Sequence, residues 1–218
     1  SIAGQLARKA ADASAHPVQV AGSLPPLFGS YRSDLFQPER VTEVLTPLLQ
    51  GLGAHVDLWL AETQSSLAEV QAIHAHLPSD GKPFWVSFTL QDEETDGVPR
   101  LRSGEPVADA IEAVAGMGVA AVLFNCSQPE VIGAAVDVAR AITGRLGADI
   151  AIGVYANAFP PQPKEATAND GLDPLRDDLD PPGYLQWAAD WRKRGASHLG
   201  GCCGIGPEHI AVLAQKLA

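Results

Sequence analysis

Three cysteines carry the most specific chemistry in this chain. Cys202 and Cys203 are adjacent, in Gly200-Gly201-Cys202-Cys203-Gly204-Ile205-Gly206-Pro207-Glu208. Cys126 lies in Ala121-Val122-Leu123-Phe124-Asn125-Cys126-Ser127-Gln128-Pro129-Glu130. Both places read alike. A short apolar run ends in thiol, and Pro-Glu then opens a helix, with proline at a first-turn position and an acid near the positive end of the dipole. The thiols therefore sit at strand ends of one polarity. Three thiolates converging on one point suit Zn²⁺ with an open fourth position. The spacing is not that of a Cys-x-x-Cys knuckle, and two other readings stand beside the metal site. A buried free cysteine is a small hydrophobe, and Cys202 with Cys203 could close a vicinal disulfide, a strained geometry. A core position does not require the glycines that flank the pair.

Other polar residues fall at strand ends of the same polarity. Glu62 follows the apolar run 56–61, and Asn157 follows the run 150–155, which ends in Tyr155. Each has a plain reading: a solvated loop acid for Glu62, and satisfaction of turn backbone for Tyr155 and Asn157. Asn125 is placed to orient the turn beside Cys126 through backbone bonds. His198 sits in an apolar strand and reads as structural, because a fourth protein ligand would close the site against substrate. Trp59 and Trp85 read as core residues.

The elements that must position these groups alternate in type. Strands are expected over 18–24, 56–61, 84–90, 120–124, 150–155 and 197–199. Helices are expected over 1–14, starting without a cap and with Ile2, Leu6 and Ala10 on one face, then over 38–52, 66–76 with Ser66 as cap, 106–117, 129–146 and 184–194, with another opening at Pro207. The strands are short and apolar on both faces, and no hairpin signal occurs, which is the pattern of parallel βα units. Two architectures accommodate it, an open doubly wound sheet and a (β/α)₈ barrel, and in both the chemistry gathers at the carboxyl ends of strands. No Gly-x-Gly-x-x-Gly follows a strand, which weakens a dinucleotide site. The polar stretch 156–182 holds six of the chain's 17 prolines and reads as a lid or binding loop.

Composition narrows the partners. The 218 residues are 46% hydrophobic, enough for a sizeable core, and carry a net charge of −11 with pI ≈ 4.8. That balance disfavours nucleic acid and anionic membranes as partners. No run approaches a membrane span in length. An odd, small number of cysteines argues against a disulfide framework and for a reducing compartment, so the cytoplasm is expected.

The segment from Gly200 to Ile210, taken with Asn125-Cys126-Ser127-Gln128-Pro129-Glu130, resembles the zinc-binding signature of the homocysteine S-methyltransferase family. Ala21-Gly22-Ser23-Leu24-Pro25-Pro26, Glu62-Thr63, Val86-Ser87-Phe88-Thr89 and Val154-Tyr155-Ala156-Asn157-Ala158 match its strand-end segments in order, so the resemblance covers nearly the whole chain. It implies a (β/α)₈ TIM barrel in which Zn²⁺, held by Cys126, Cys202 and Cys203, binds the homocysteine sulfur. It implies Glu62 at the substrate amino group; Asn125 and Asn157 are expected to join it in binding substrate, with Tyr155 a further candidate to line the pocket. The implied reaction moves a methyl group from a sulfonium donor to the homocysteine thiolate, giving methionine. S-methylmethionine and S-adenosylmethionine are the donors it favours, with betaine used in the broader family. Family members begin with two further βα units, so residues 1–218 are expected to form a single partial barrel domain. The strands at 18–24 and 197–199 would then be open edges. Rival readings on the same scaffold are a non-catalytic zinc or thiol-storage protein and a zinc hydrolase. Three thiolates make a metal-bound water a poor acid, which disfavours the hydrolase.

Overall fold

The computed structural model describes residues 1–93, 96–163, 171 and 173–217. Seven helices and six strands alternate: α1 (Ile2–Asp12), β1 (Ala21–Leu24), α2 (Val41–Leu52), β2 (Leu58–Gln64), α3 (Leu67–His76), β3 (Phe84–Phe88), α4 (Val107–Ala115), β4 (Ala121–Asn125), α5 (Pro129–Leu146), β5 (Ala151–Tyr155), α6 (Pro181–Arg194), β6 (His198–Leu199) and α7 (Pro207–Leu217). All six strands are parallel, and their spatial order is their chain order, β1-β2-β3-β4-β5-β6. A doubly wound sheet reverses its order at a switch point. No reversal occurs here, so the doubly wound alternative is set aside. The sheet is open, with β1 and β6 as its edges, the two strands expected there.

The two faces of the sheet are built differently. Trp59 and Ala61 of β2, Val86 and Phe88 of β3, Val122 and Phe124 of β4, and Ile152 and Val154 of β5 join the helices in one large core. The alternate residues Leu58, Leu60, Ala121 and Leu123 form a second, small cluster with Trp85, Ala151 and Tyr155, and no helix residue enters it. Period-two alternation of strand side chains produces this division. Trp59 is 1% exposed, as a core residue should be. Trp85 points to the other face, where it is half-buried and meets His198 edge-on at 5.1 Å between ring centroids.

Local chemistry explains most element boundaries. Ser66 caps α3 in a capping box: its hydroxyl accepts from Glu69 N–H at 3.4 Å, and the Glu69 carboxylate accepts from the N–H groups of Ser65 and Ser66. α6 starts at Pro181, three residues before its expected beginning, because Asp180 accepts from Gly183 N–H at 2.8 Å and prolines occupy the first turn. β2 ends at Gln64, so Glu62 and Thr63 lie within the strand. α1 departs furthest from expectation. Ser1 does cap it, accepting from Gly4 N–H, but Ile2 and Leu6 are 76% and 63% exposed. The inward face is polar and small instead. Arg8 pairs with Asp57 at 2.6 Å, and a Cβ at position 4 would stand 2.8 Å from the His55 ring, so only glycine lets the helix lie this close. Of the stretch 156–182, residues 164–170 and 172 lie outside the described residues. Among the described residues, no helix is long and apolar enough to cross a membrane.

Candidate metal centre

Cys126 directly follows β4. Its N–H donates to the Tyr155 carbonyl at 3.3 Å, and its own carbonyl accepts from Thr89 Oγ1 at 3.2 Å. Ser127 fastens the turn from below: its hydroxyl donates to the Asn125 carbonyl and accepts from Leu90 N–H, both at 2.9 Å. Ser127 supplies the side chain that orients the turn, and Asn125 takes part through its backbone carbonyl. The second turn follows β6. Cys202 N–H donates to the Ala156 carbonyl, and Ala158 N–H to the Cys203 carbonyl, each at 2.9 Å. Through these two bonds the chain leaving β5 is tied to the cysteine pair.

The three sulfurs all lie within 4.8 Å of one another. Cys126 and Cys202 are paired as a disulfide, with Cα atoms 5.8 Å apart. Cys203 is free and exposed, its sulfur 3.9 Å from that of Cys202. The pairing joins two strand ends rather than the adjacent residues, so the vicinal arrangement is absent. A single pairing with one thiol left free is not the disulfide framework that the cysteine count argues against. Thiols brought this close form both a ligand set when reduced and a bond when oxidised. The donor set fits zinc: thiolates about 2.3 Å from a tetrahedral ion lie about 3.8 Å apart, the separation seen for Cys202 and Cys203. Among the described residues no fourth His, Cys, Asp or Glu joins the group.

A polar belt crosses the inner face beside the sulfurs. Ser23 Oγ donates to Glu62 Oε2 at 2.6 Å, and Tyr155 OH donates to Glu62 Oε1 at 3.1 Å. Burial, reinforced by the Glu62 charge, holds the Tyr155 hydroxyl far above the ordinary phenol range, so it remains a donor. Asn125 lies in the same belt, 1% exposed, with Oδ1 accepting from Ser87 Oγ at 2.6 Å and Nδ2 donating to Thr63 Oγ1 at 2.8 Å. Asn157, also 1% exposed, sits beneath the turns: its Oδ1 accepts from Gln128 Nε2 and Phe159 N–H, both at 3.3 Å. His198 is exposed on the inner face and is not among the grouped ligands.

Sequence reasoning had singled out neither Ser23, Ser87 nor Thr63. The first two are legible in retrospect as polar residues at inward positions near the ends of apolar strands. Thr63 is betrayed only by its backbone. Tyr31, Thr63 and Cys126 have φ of 69°, 60° and 48°, the only non-glycine residues with positive φ among those described. All three follow strands at the carboxyl end of the sheet or interrupt one there. Such strain, uncommon outside glycine and rarest in β-branched residues, concentrates at functional sites.

Comparison with known proteins agrees with this geometry. The model of the family described as Homocysteine S-methyltransferase matches residues 1–217. Homocysteine S-methyltransferase 4 of Zea mays is 29% identical over 76% of this chain, and homocysteine S-methyltransferase of Escherichia coli is 28% identical over 97% of it. The chain spans 45% of the length of the first relative and 69% of the second. The crystal structure of the E. coli homocysteine methyltransferase in a metallated form superposes with a TM-score of 0.73, at 28% identity, covering 97% of this chain and 68% of that one. The chain belongs to the homocysteine S-methyltransferase family.

Proposed function

We propose that residues 1–218 form a homocysteine-binding domain of a zinc-dependent methyltransferase. It transfers a methyl group from a sulfonium donor, S-methylmethionine or S-adenosylmethionine, to homocysteine, giving methionine. The sequential parallel sheet, with its chemistry at the carboxyl ends, is read as an arc of a (β/α)₈ barrel.

One observation carries the proposal. The Tyr155 carbonyl grips Cys126 N–H while the Tyr155 hydroxyl grips Glu62. One residue thus sets the distance between the thiol cluster and a carboxylate, as a substrate with sulfur at one end and ammonium at the other requires. Cys126, Cys202 and Cys203 would hold Zn²⁺, which supplies the charge that keeps a substrate thiol deprotonated at neutral pH. Glu62 accepts one hydrogen bond on each oxygen from Ser23 and Tyr155, which leaves lone pairs for the substrate ammonium. Asn125 and Asn157 wall the pocket, their side chains fixed by Ser87, Thr63 and Gln128. In the reaction a bond forms between the homocysteine sulfur and the methyl carbon. The donor's carbon–sulfur bond breaks, its electron pair stays on a neutral thioether, and the thiol proton goes to solvent. No general acid is needed, and the protein contributes orientation and charge.

The test incubates reduced, zinc-loaded protein with homocysteine and, separately, S-methylmethionine, S-adenosylmethionine or betaine, and measures methionine. The expected result is methionine from a sulfonium donor, abolished by a chelator. Bound zinc without methionine from any donor would overturn the proposal in favour of a metal or thiol store.

A further inference from the structure

Asp92 and Arg102 form a buried ion pair, with Arg102 Nη1 3.2 Å from Asp92 Oδ2 and both side chains 3% exposed. A buried pair is favourable only when most of its remaining hydrogen-bonding capacity is met; here Arg102 Nε alone lacks a partner, and the bonds made by Asp92 and by Arg102 Nη2 go to the segments that carry the sulfurs. Asp92 Oδ1 accepts from Gln128 N–H at 3.1 Å, two residues beyond Cys126, and Oδ2 accepts from Gln162 N–H at 2.8 Å. Arg102 Nη2 donates to the carbonyls of Gln162 and Pro163 at 3.2 and 3.0 Å, and Nη1 to that of Leu90 at 3.4 Å. The guanidinium carbon stands 4.9 Å from the centroid of the Tyr31 ring.

The segments after β1, β3, β4 and β5 thus meet at one pair of charges. The segment after β5 is also the one whose Ala158 N–H holds the Cys203 carbonyl and whose Phe159 carbonyl accepts from Gln128 Nε2 at 2.6 Å. A continuous path therefore runs from Cys126 through Gln128, Asp92 and Gln162 back along the chain to Cys203. A neutral side chain at position 92 could not accept from two backbone N–H groups and a guanidinium at once.

We propose that Asp92 and Arg102 are positioning residues of the metal centre, a clasp that fixes the Cys126 turn in register with the Cys202-Cys203 turn. The proposal rests on the zinc methyltransferase reading only for what the sulfurs do, so its test uses a readout that needs no metal. In a C203S background, metal-free protein is equilibrated with glutathione and glutathione disulfide. Closing the Cys126–Cys202 bond consumes one glutathione disulfide and releases two glutathiones, and the equilibrium constant reports the effective concentration of one thiol at the other.

D92N and R102M are expected to shift that equilibrium toward the dithiol by tenfold or more, and R102K, which keeps the charge without the fork, by less. I73V, a cavity variant in the helix-facing core, should lower the unfolding midpoint and leave the equilibrium unchanged. In the three-cysteine chain D92N should weaken zinc affinity 10- to 100-fold, the usual range for outer partners of metal ligands. An unchanged thiol equilibrium in D92N would overturn the clasp, and R102K carries the same test if D92N does not fold. A wild-type chain that binds no zinc would overturn the proposed function instead, while the thiol equilibrium still decides the clasp.

Discussion

The two cysteine turns arise from the same local pattern, and both take main-chain bonds from the end of β5 and the chain leaving it, but only one is also gripped by side chains. The Cys126 turn is buried: Asn125, Ser127 and Gln128 are at most 1% exposed and Cys126 is 8% exposed. Side chains from Thr89, Ser127 and Asp92 bond its backbone. The Cys202-Cys203 turn is half-buried to exposed, and its own backbone is held by main-chain bonds to Ala156 and Ala158. One turn adds, to its main-chain bond with Tyr155, partners that demand particular side chains. The other is fixed by close backbone approach, which demands their absence. A converging ligand set built from distant strands gains from this asymmetry, because a fixed turn defines the place and a backbone-held turn is fitted to it.

The largest effect should follow from removing a ligand. Zinc binding of roughly 10–16 kcal/mol for a four-ligand site makes each ligand worth about 3 kcal/mol, on the order of a hundredfold in affinity. Cys126→Ser, Cys202→Ser and Cys203→Ser should each weaken zinc by about that factor in competition with a chelator. The comparison of the turns breaks if Cys203→Ser binds as tightly as the parent, since the exposed turn would then supply one ligand and not two.

Next in size are changes to the belt. Glu62→Ala should raise the KM for homocysteine by 10- to 100-fold, and Tyr155→Phe by about tenfold, because a hydrogen bond to a charged group contributes roughly 1.5–3 kcal/mol. Zinc affinity should stay within about twofold in both, since the Cys126 contact uses the Tyr155 carbonyl, which phenylalanine retains. Parallel loss of zinc and homocysteine would assign Glu62 to the fold rather than to the substrate.

A smaller effect separates the turns directly. A Cβ on Gly201 would lie 2.1 Å from Ile205 Cγ2 and 2.5 Å from Ile205 Cβ, whereas one on Gly200 would meet Tyr155 Cβ at 3.4 Å. Gly201→Ala must displace the turn and should cost about tenfold in zinc affinity, while Gly200→Ala should cost much less. Similar losses for the two would mean that chain flexibility, not close approach, is what the glycines provide.

This contrast also explains what the sequence could and could not disclose. The cysteines were legible because residue type, strand-end position and the following Pro-Glu all agree at both turns. Parallel βα units were legible from alternation, and Ser66 as a cap, but alternation left the strand order open between a doubly wound sheet and a barrel, because the order is set by packing of distant units. The clasp was not, because Asp92 and Arg102 lie in an irregular stretch and meet Gln128 and Gln162 only in the folded chain. The inward face of α1 was not legible for a related reason. Periodicity sees Ile2 and Leu6, but Arg8–Asp57 and the approach of Gly4 to His55 decide which side faces in. Thr63 leaves no trace in composition, since its backbone angle is imposed by the irregularity of β2 between Ala61 and Gln64.

The smallest effect is on stability at high pH, and it tests whether the two turns are locked together by the same kind of group. The chain has three tyrosines, and all of them lie at this end of the sheet. Tyr184 OH accepts from Ala156 N–H at 3.1 Å and donates to the Gly200 carbonyl at 2.8 Å, bridging the ends of β5 and β6 below the Cys202-Cys203 turn. Tyr155 joins the Cys126 turn to Glu62, and Tyr31 lies against Arg102. Burial raises all three above the ordinary phenol range, Tyr31 to about 12 and the others further. The unfolded chain ionises its tyrosines near pH 10 and the folded chain does not. The stabilisation is therefore fully present below about pH 10 and is lost as pH rises above it, by about 1.4 kcal/mol per pH unit for each tyrosine until its folded pKa is reached. Tyrosinate absorbance should consequently rise together with the loss of helical circular dichroism and not before it. Tyr184→Phe should remove one third of that pH slope and leave the rest. One tyrosine titrating with its midpoint near pH 10 in the folded chain would mean that one of these hydroxyls is open to water, and the turn it braces would then be held by its backbone bonds alone.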